Sequence, residues 1–177
     1  MMSNIQSSDF VPAYRNFTVS REFYFCCNKQ ETNRFGSNSI VSERALREIY
    51  LKEFGIYVKE SAPGSVMTSY NLLNGIHTAN RKDILDDVLR GEWGFQGFVM
   101  TDWGTTGDAF NMGRHGASSS DMSIRVGNDI IMPGNKKDVE QILDGLATGW
   151  IDRSDLELCA GRVLAMSKSL SRVIQNE

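Results

Sequence analysis

An α/β fold of about four parallel strand-helix units with a further helix at the end is predicted by three features of the sequence. From Phe23 onward, short apolar runs alternate with amphipathic stretches, which is the pattern of repeated strand-helix units around a parallel sheet. One of these runs, Phe98-Val99-Met100, is apolar at consecutive positions, as a strand buried on both faces requires. The units number half the eight of a closed (β/α)8 barrel, which takes roughly 250 residues, and the chain has 177. The expectation is therefore a partial TIM barrel rather than two ordinary domains.

The elements follow in chain order. The run 23–27 (FYFCC) predicts the first strand, and the polar stretch NKQETNRFGSNS predicts the loop after it. Ser42 stands as an N-cap for a helix whose apolar positions Leu46, Ile49, Tyr50, Phe54 and Tyr57 fall at helical spacing. Glu43 with Arg47, and Glu48 with Lys52, are expected to pair four apart on its wet side. Pro63-Gly64 breaks the chain before the second strand, 65–70, and NLLNGIHTAN reads as the loop beyond it. A shorter helix turns Ile84, Leu85, Val88 and Leu89 inward and ends at Gly91. The third strand, 97–102, follows Gly94 and Gly97.

Residues 104–127, rich in Gly, Ser and Asp, predict a long loop with weak helical pieces, and long loops in compact domains tend to carry function. The fourth strand, 128–132, is closed by Pro133-Gly134. Val139, Ile142, Leu143 and Leu146 mark a helix that stops at Gly149. The closing helix opens on Ser154 and Glu157 as a capping box and lines Leu156, Cys159, Ala160, Val163, Leu164 and Ser167 along one side. The four strands should lie parallel and adjacent in chain order, with the helices on one face.

Composition narrows the function classes. The formal charge of -3 arises from mixed acids and bases, so no basic stripe is available for phosphates and nucleic acid is not expected as a partner. No run approaches the ~20 apolar residues that cross a bilayer. The opening stretch MMSNIQSSDFVPAYRNFTVS has neither an apolar core nor a cleavage signal, so the expectation is a soluble, unexported chain with no membrane partner. The cysteines are Cys26, Cys27 and Cys159. The adjacent pair is placed on the first strand, where its spacing strains a disulfide, and a reducing cytoplasm fits such usage. His77 and His115 stand apart from other ligand types, so no metal site is expected.

The chemistry concentrates at Asp102. It follows the third strand directly, at the end where barrel enzymes place catalytic groups. Aspartate also starts turns and caps helices, so position alone leaves both readings open. Trp103 beside it offers a flat apolar surface of the kind that stacks on a sugar ring. Asn71, Asn74 and His77, in the loop after the second strand, are placed either for sugar contact or for turn formation. Asp129 is read as bonding nearby backbone, with Arg125 as its candidate partner.

The segment from Ser69 to Gly104, SYNLLNGIHTANRKDILDDVLRGEWGFQGFVMTDWG, resembles glycoside hydrolase family 3. The match is carried by LRGEWGF (Leu89 to Phe95), TDW (Thr101 to Trp103), VMTSYNLLNG (Val66 to Gly75) and GNDIIMPG (Gly127 to Gly134). It continues upstream through CCNKQETNRF and SERALREIYLKEF, and downstream through the last helix with its Cys159-Ala160 pair. The resemblance assigns 23–177 to part of the family's barrel domain and leaves 1–22 unmatched.

What the resemblance implies is a β-glucosidase-like hydrolase that removes terminal β-D-glucosyl residues from β-glucosides and oligosaccharides with retention. Asp102 is then the nucleophile, and Met67, Tyr70 and Trp103 line the sugar subsite. No cofactor is implied. A retaining enzyme needs a second carboxylate ~5 to 5.5 Å from the nucleophile as acid and base. In this family it usually comes from a separate α/β domain, and neither Glu31 nor Glu92 is assigned that role.

The chain departs from the family at Phe23-Tyr24-Phe25, where the family usually carries Lys-His-Phe with two ligands for the sugar hydroxyls. The Asp and Arg of the family's earlier strands have no counterpart here. The expectations are accordingly an impaired, truncated hydrolase that self-associates through its open barrel edges. The alternatives are a catalytically silent sugar-binding or assembly module, a β-xylosidase of the same family, and the product of a truncated gene with no role of its own.

Overall fold

The computed structural model describes residues 26–27, 32–107 and 113–174. Its central sheet pairs β2 (Ser65–Met67) in parallel with β5 (Phe98–Met100), Ser65 against Phe98 through Met67 against Met100. Ile130 adds one parallel bridge to Met100. Beyond the strand ends, Thr68 N donates to Met100 O and Thr101 N to Ile130 O, both at 2.9 Å. The second, third and fourth expected strands therefore lie parallel and adjacent in that order, but shorter than 65–70, 97–102 and 128–132. The fourth shrinks to a bridge because the amides of Asp129 and Ile130 both donate to Val99 O, at 2.8 and 3.0 Å, which opposes two residues to one and ends regular pairing.

The first expected strand falls mainly on 23–25, outside the described residues. Its end is not a strand: Cys26 and Cys27 form a turn with φ of 74° and 62°, and left-handed backbone cannot extend a ladder. A second, small sheet stands where NLLNGIHTAN reads as a loop. There β1 (Asn38–Ser39) runs parallel to β3 (Leu72–Leu73), and β3 turns back antiparallel on β4 (Ile76–His77). Asn74 and Gly75 make the turn with φ of 51° and 86°, the two positive values that an Asn-Gly hairpin supplies at low steric cost.

The first helical run is capped by Ser42, whose Oγ accepts from Ala45 N at 3.3 Å. It starts as α-helix over Glu43–Ala45, widens to a π-helical stretch over Leu46–Tyr50, and returns to α-helix over Lys52–Ser61. Widening adds a residue to the turn, as Leu51 N bonding back to Leu46 O at 2.8 Å shows. The buried face consequently passes through Leu46, Leu51, Phe54 and Val58, while Ile49 is left 63% exposed. Arg47 bonds Glu43 as expected, but Glu48 takes Arg44 rather than Lys52.

The next helix, Asp83–Glu92, buries Ile84, Leu85, Val88 and Leu89 as its spacing predicts. It runs past Gly91. The left-handed residue after its cap is Gly94, with φ of 71°, the position glycine favours beyond a helix end.

One core joins these pieces. Val66 and Val99, side by side on one face of the sheet, pack with Leu46, Phe54, Val58, Ile84, Leu85, Val88, Leu89 and Phe95. The opposite face carries Met67 and Met100, both half-buried. The two strands enter the sheet in close approach: a Cβ added at Gly97 would stand 2.2 Å from Gly64 O, a distance no side chain tolerates.

The C-terminal layer has its own smaller core of Ile124, Ile151 and Cys159. Ser120–Arg125 is the helical piece expected within 104–127. Lys136–Thr148 opens on a capping box between Asn135 and Asp138 and stops at Gly149, φ 72°. The last helix, Arg153–Ile174, is not capped by Ser154 and Glu157. Asp152 N instead donates to Asp155 Oδ2 at 2.8 Å, and Glu157 bonds Arg153. Of the residues assigned to buried faces here, Val139, Leu143 and Leu164 are more than half exposed, and Ala160 and Ser167 are exposed too. Helical spacing identifies an apolar stripe but not whether a neighbour covers it.

Candidate active site

The alternation of β5 carries the site. Val99 points into the core, Met100 to the other face, and Asp102, two residues on, leaves the sheet on the side of Met100 and Met67. The backbone around it is tied down at several points. Thr101 Oγ1 accepts from Met132 N at 2.8 Å, and Gly104 N donates to Met132 O at 2.7 Å. Thr105 Oγ1 donates to Asp102 O at 2.9 Å. The Asp102 residue is 5% exposed, and its Oδ1 accepts from Trp103 N at 2.7 Å.

Of the residues expected to line the subsite, Tyr70 and Trp103 are brought together. The Tyr70 hydroxyl donates to Trp103 O at 2.7 Å, which fixes the peptide next to Asp102. The Tyr70 ring is buried edge-on against Phe35, with centroids 4.6 Å apart, beneath the Arg34 guanidinium. The Trp103 side is half open, at 52% exposure. Met67 sits one strand away in register with Met100. The four candidates therefore share the C-terminal end of the sheet. The clefts of about 560 and 380 Å³ on the helical exterior, one beside Trp150 and one beside Trp93, do not include Asp102.

The remaining polar candidates separate by their bonds. Asn74 serves the turn: its side chain accepts from Val41 N at 2.8 Å and donates to Val41 O at 2.9 Å. Asn71 is fully buried and donates to Leu72 O at 3.1 Å. His77 is buried as well, and neither ring nitrogen makes a well-formed hydrogen bond among the described residues. Burial holds its pKa below the ordinary value, although backbone groups of Tyr70, His115 and Gly116 favour the charged form. Glu92 is paired with Arg47 at 2.8 Å on the exterior. Glu31 lies outside the described residues.

Asp129 serves a different end of the sheet. Its Oδ2 accepts from Val99 N at 2.7 Å and from Arg90 at 2.6 Å, and its Oδ1 from Arg162 at 2.9 Å. Arg125 is not its partner and lies instead over the Trp150 ring, 4.5 Å from the centroid. Phe35 and Arg34, which back Tyr70, were not among the expected site residues, although they close the matched stretch CCNKQETNRF.

Comparison with known proteins agrees with the geometry. The glycosyl hydrolase family 3 N-terminal domain matches residues 31–166. β-Glucosidase B of Emericella nidulans is 40% identical over 150 residues, 84% of this chain and 16% of that protein. The β-glucosidase of Ruminococcus albus is 39% identical over 152 residues, 82% of this chain and 16% of its own length. Among solved structures, β-glucosidase 3B from Thermotoga neapolitana in complex with glucose superposes with a TM-score of 0.73 at 41% identity, covering 83% of this chain and 20% of that one. The Kluyveromyces marxianus β-glucosidase in complex with glucose gives 0.74 at 36%, covering 86% and 17%. The chain thus spans 16% of the length of the first curated relatives it matches.

Proposed function

Because the chain belongs to glycosyl hydrolase family 3, we propose that it carries the nucleophile-bearing part of a β-glucosidase barrel, with Asp102 as the nucleophile. The observation that carries the reading is a buried aspartate at the C-terminal end of a parallel strand, flanked by a half-exposed tryptophan that a buried tyrosine holds in place. In the partial barrel, Asp102 attacks the anomeric carbon of a terminal glucosyl unit and the aglycone oxygen leaves with its electron pair. The glycosyl ester is then hydrolysed by water, so configuration is retained. Trp103 supplies the apolar platform, and Met67 and Tyr70 the wall.

No residue of this chain is assigned as the acid. The proposed activity is therefore weak on substrates whose leaving oxygen must be protonated, since general acid help is worth ~10²- to 10⁴-fold. A leaving group that departs unprotonated bypasses that need. Incubation with a 2-deoxy-2-fluoro glucoside bearing dinitrophenolate should esterify Asp102, found by peptide mass mapping. Label on another carboxylate overturns the assignment. Glucose binding without any label selects the silent sugar-binding module, which the Phe23-Tyr24-Phe25 departure favours.

Self-association belongs to the same proposal. Val139, Leu143, Trp150, Leu158 and Leu164, on the last two helices and the turn between them, are each more than half exposed, and apolar surface drives association where it is contiguous. Sedimentation at increasing protein concentration should show a rising average mass, and a monomer at every concentration would remove this part of the reading.

A further inference from the structure

Cys26 and Cys27 form a cluster that the glycosidase reading leaves unused. Their sulfurs stand 3.4 Å apart, and neither is in a disulfide. Cys26 is fully buried and Cys27 half-buried, so one sulfur lies behind the other. The turn is anchored from both sides: Ser69 Oγ donates to Cys26 O at 3.4 Å, and Ser39 Oγ donates to Cys27 O at 3.3 Å. We propose that Cys26 and Cys27 form a two-electron oxidation site for hydroperoxides, with Cys27 the attacked sulfur and Cys26 the resolving one. The proposal does not depend on the glycosidase reading.

The electrostatics agree with the geometry. The Cys27 thiol is held below its ordinary pKa by its hydrogen bond with Cys26, with the Arg81 charge adding and burial opposing. Cys26 is pushed up by the same bond and by burial. The pair thus sets a partly accessible thiol of lowered pKa against a buried one, the setting in which redox-sensitive cysteines react. Cys159 is the internal contrast: buried, bonded to Ile124 O, and raised by desolvation to about 12.

In the first step the Cys27 thiolate attacks the peroxide oxygen. The O–O bond breaks, the alkoxide or hydroxide takes a proton from water, and Cys27 is left as a sulfenic acid. Cys26 sulfur, giving up its proton, then attacks Cys27 sulfur. The S–S bond forms, the S–O bond breaks, and the departing hydroxide takes that proton as water. Two thiols are oxidised to a disulfide while one peroxide is reduced to an alcohol, or water, plus water.

Adjacent Cα atoms are ~3.8 Å apart across a trans peptide, shorter than the ~4.4 to 6.8 Å of ordinary disulfides. The ring is therefore strained and easily reduced, as labile redox disulfides are. Closing it must turn the 26–27 peptide, whose carbonyls hold Ser39 and Ser69.

The test uses the full chain and hydrogen peroxide, followed by alkylation and peptide mass mapping. The 26–27 peptide should lose two hydrogens, dithiothreitol should restore them, and Cys159 should remain alkylatable. Cys26→Ala should stop at a sulfenic acid on Cys27, captured by dimedone. Without any substitution, Cys27 should alkylate at least about tenfold faster than Cys159 at neutral pH, with a midpoint below the ~8.5 of an ordinary thiol. Cys159 oxidising as fast as Cys27, disulfides forming only between chains, or an ordinary midpoint at Cys27 would each overturn the proposal. If the variant fails to fold, the unsubstituted chain's profile still decides.

Discussion

Asp102 and Asp129 are both buried aspartates on neighbouring strands, 5% and 8% exposed, yet they stand at opposite ends of the sheet and are held differently. Asp129 is clamped by guanidinium groups from two helices and by a strand amide. Its charge is neutralised where it sits, and the triad ties the Asp83–Glu92 helix, β5 and the last helix together. Asp102 accepts one of its bonds from the amide of the next residue, within the turn that leaves β5. Burial alone therefore does not separate the proposed nucleophile from a structural acid; the end of the strand on which each stands is what sets them apart.

Exchanging each acid for its amide tests that contrast most directly. Asp102→Asn should abolish fluoroglucoside labelling, a loss on the order of 10⁴- to 10⁶-fold for removal of a nucleophile, while the urea midpoint stays near that of the unchanged chain. A large shift in the midpoint would place Asp102 with Asp129 as a structural acid.

Asp129→Asn should do the reverse. It leaves Arg90 and Arg162, whose side chains are 10% and 18% exposed, without their counter-charge, and breaking such a buried network costs about 3 to 5 kcal/mol. Urea unfolding reads that loss. A cost near zero would mean that the triad is solvated in solution and that the contrast is overstated.

The smallest effect concerns His77, near the Asp102 end. Its folded pKa lies below the ordinary value because burial disfavours the charged ring. The unfolded chain therefore binds the proton first as pH falls. His77 contributes stability above about pH 6.5 that is lost progressively below it. His77→Asn should flatten the fall in urea midpoint between about pH 6.5 and 5, and an unchanged slope would show that the ring is wet.

Much of this was readable in the chain. Ser42 as a cap, the inward set Ile84, Leu85, Val88 and Leu89, and the order of the strands at 65, 98 and 130 follow from local chemistry and from periodicity. The β3–β4 hairpin was equally local, since Asn74-Gly75 is a turn signal, but reading the stretch as one loop hid it. Asn74 could not be resolved from sequence because its role is decided by Val41, on a distant segment.

By itself the sequence determined the family-like motifs, the parallel strand order, and the position of Asp102 just past a buried strand. These depend on residue type and spacing, which act over a few neighbours. Only the tertiary structure decided which helix stripes are covered, which arginines reach Asp129, that Tyr70 braces Trp103, and that two cysteines expected on a strand share a turn with their sulfurs in contact. Each of those rests on which distant residue arrives at a site, and on a widened helical turn that rotates a face by one position. Spacing along the chain carries no record of either.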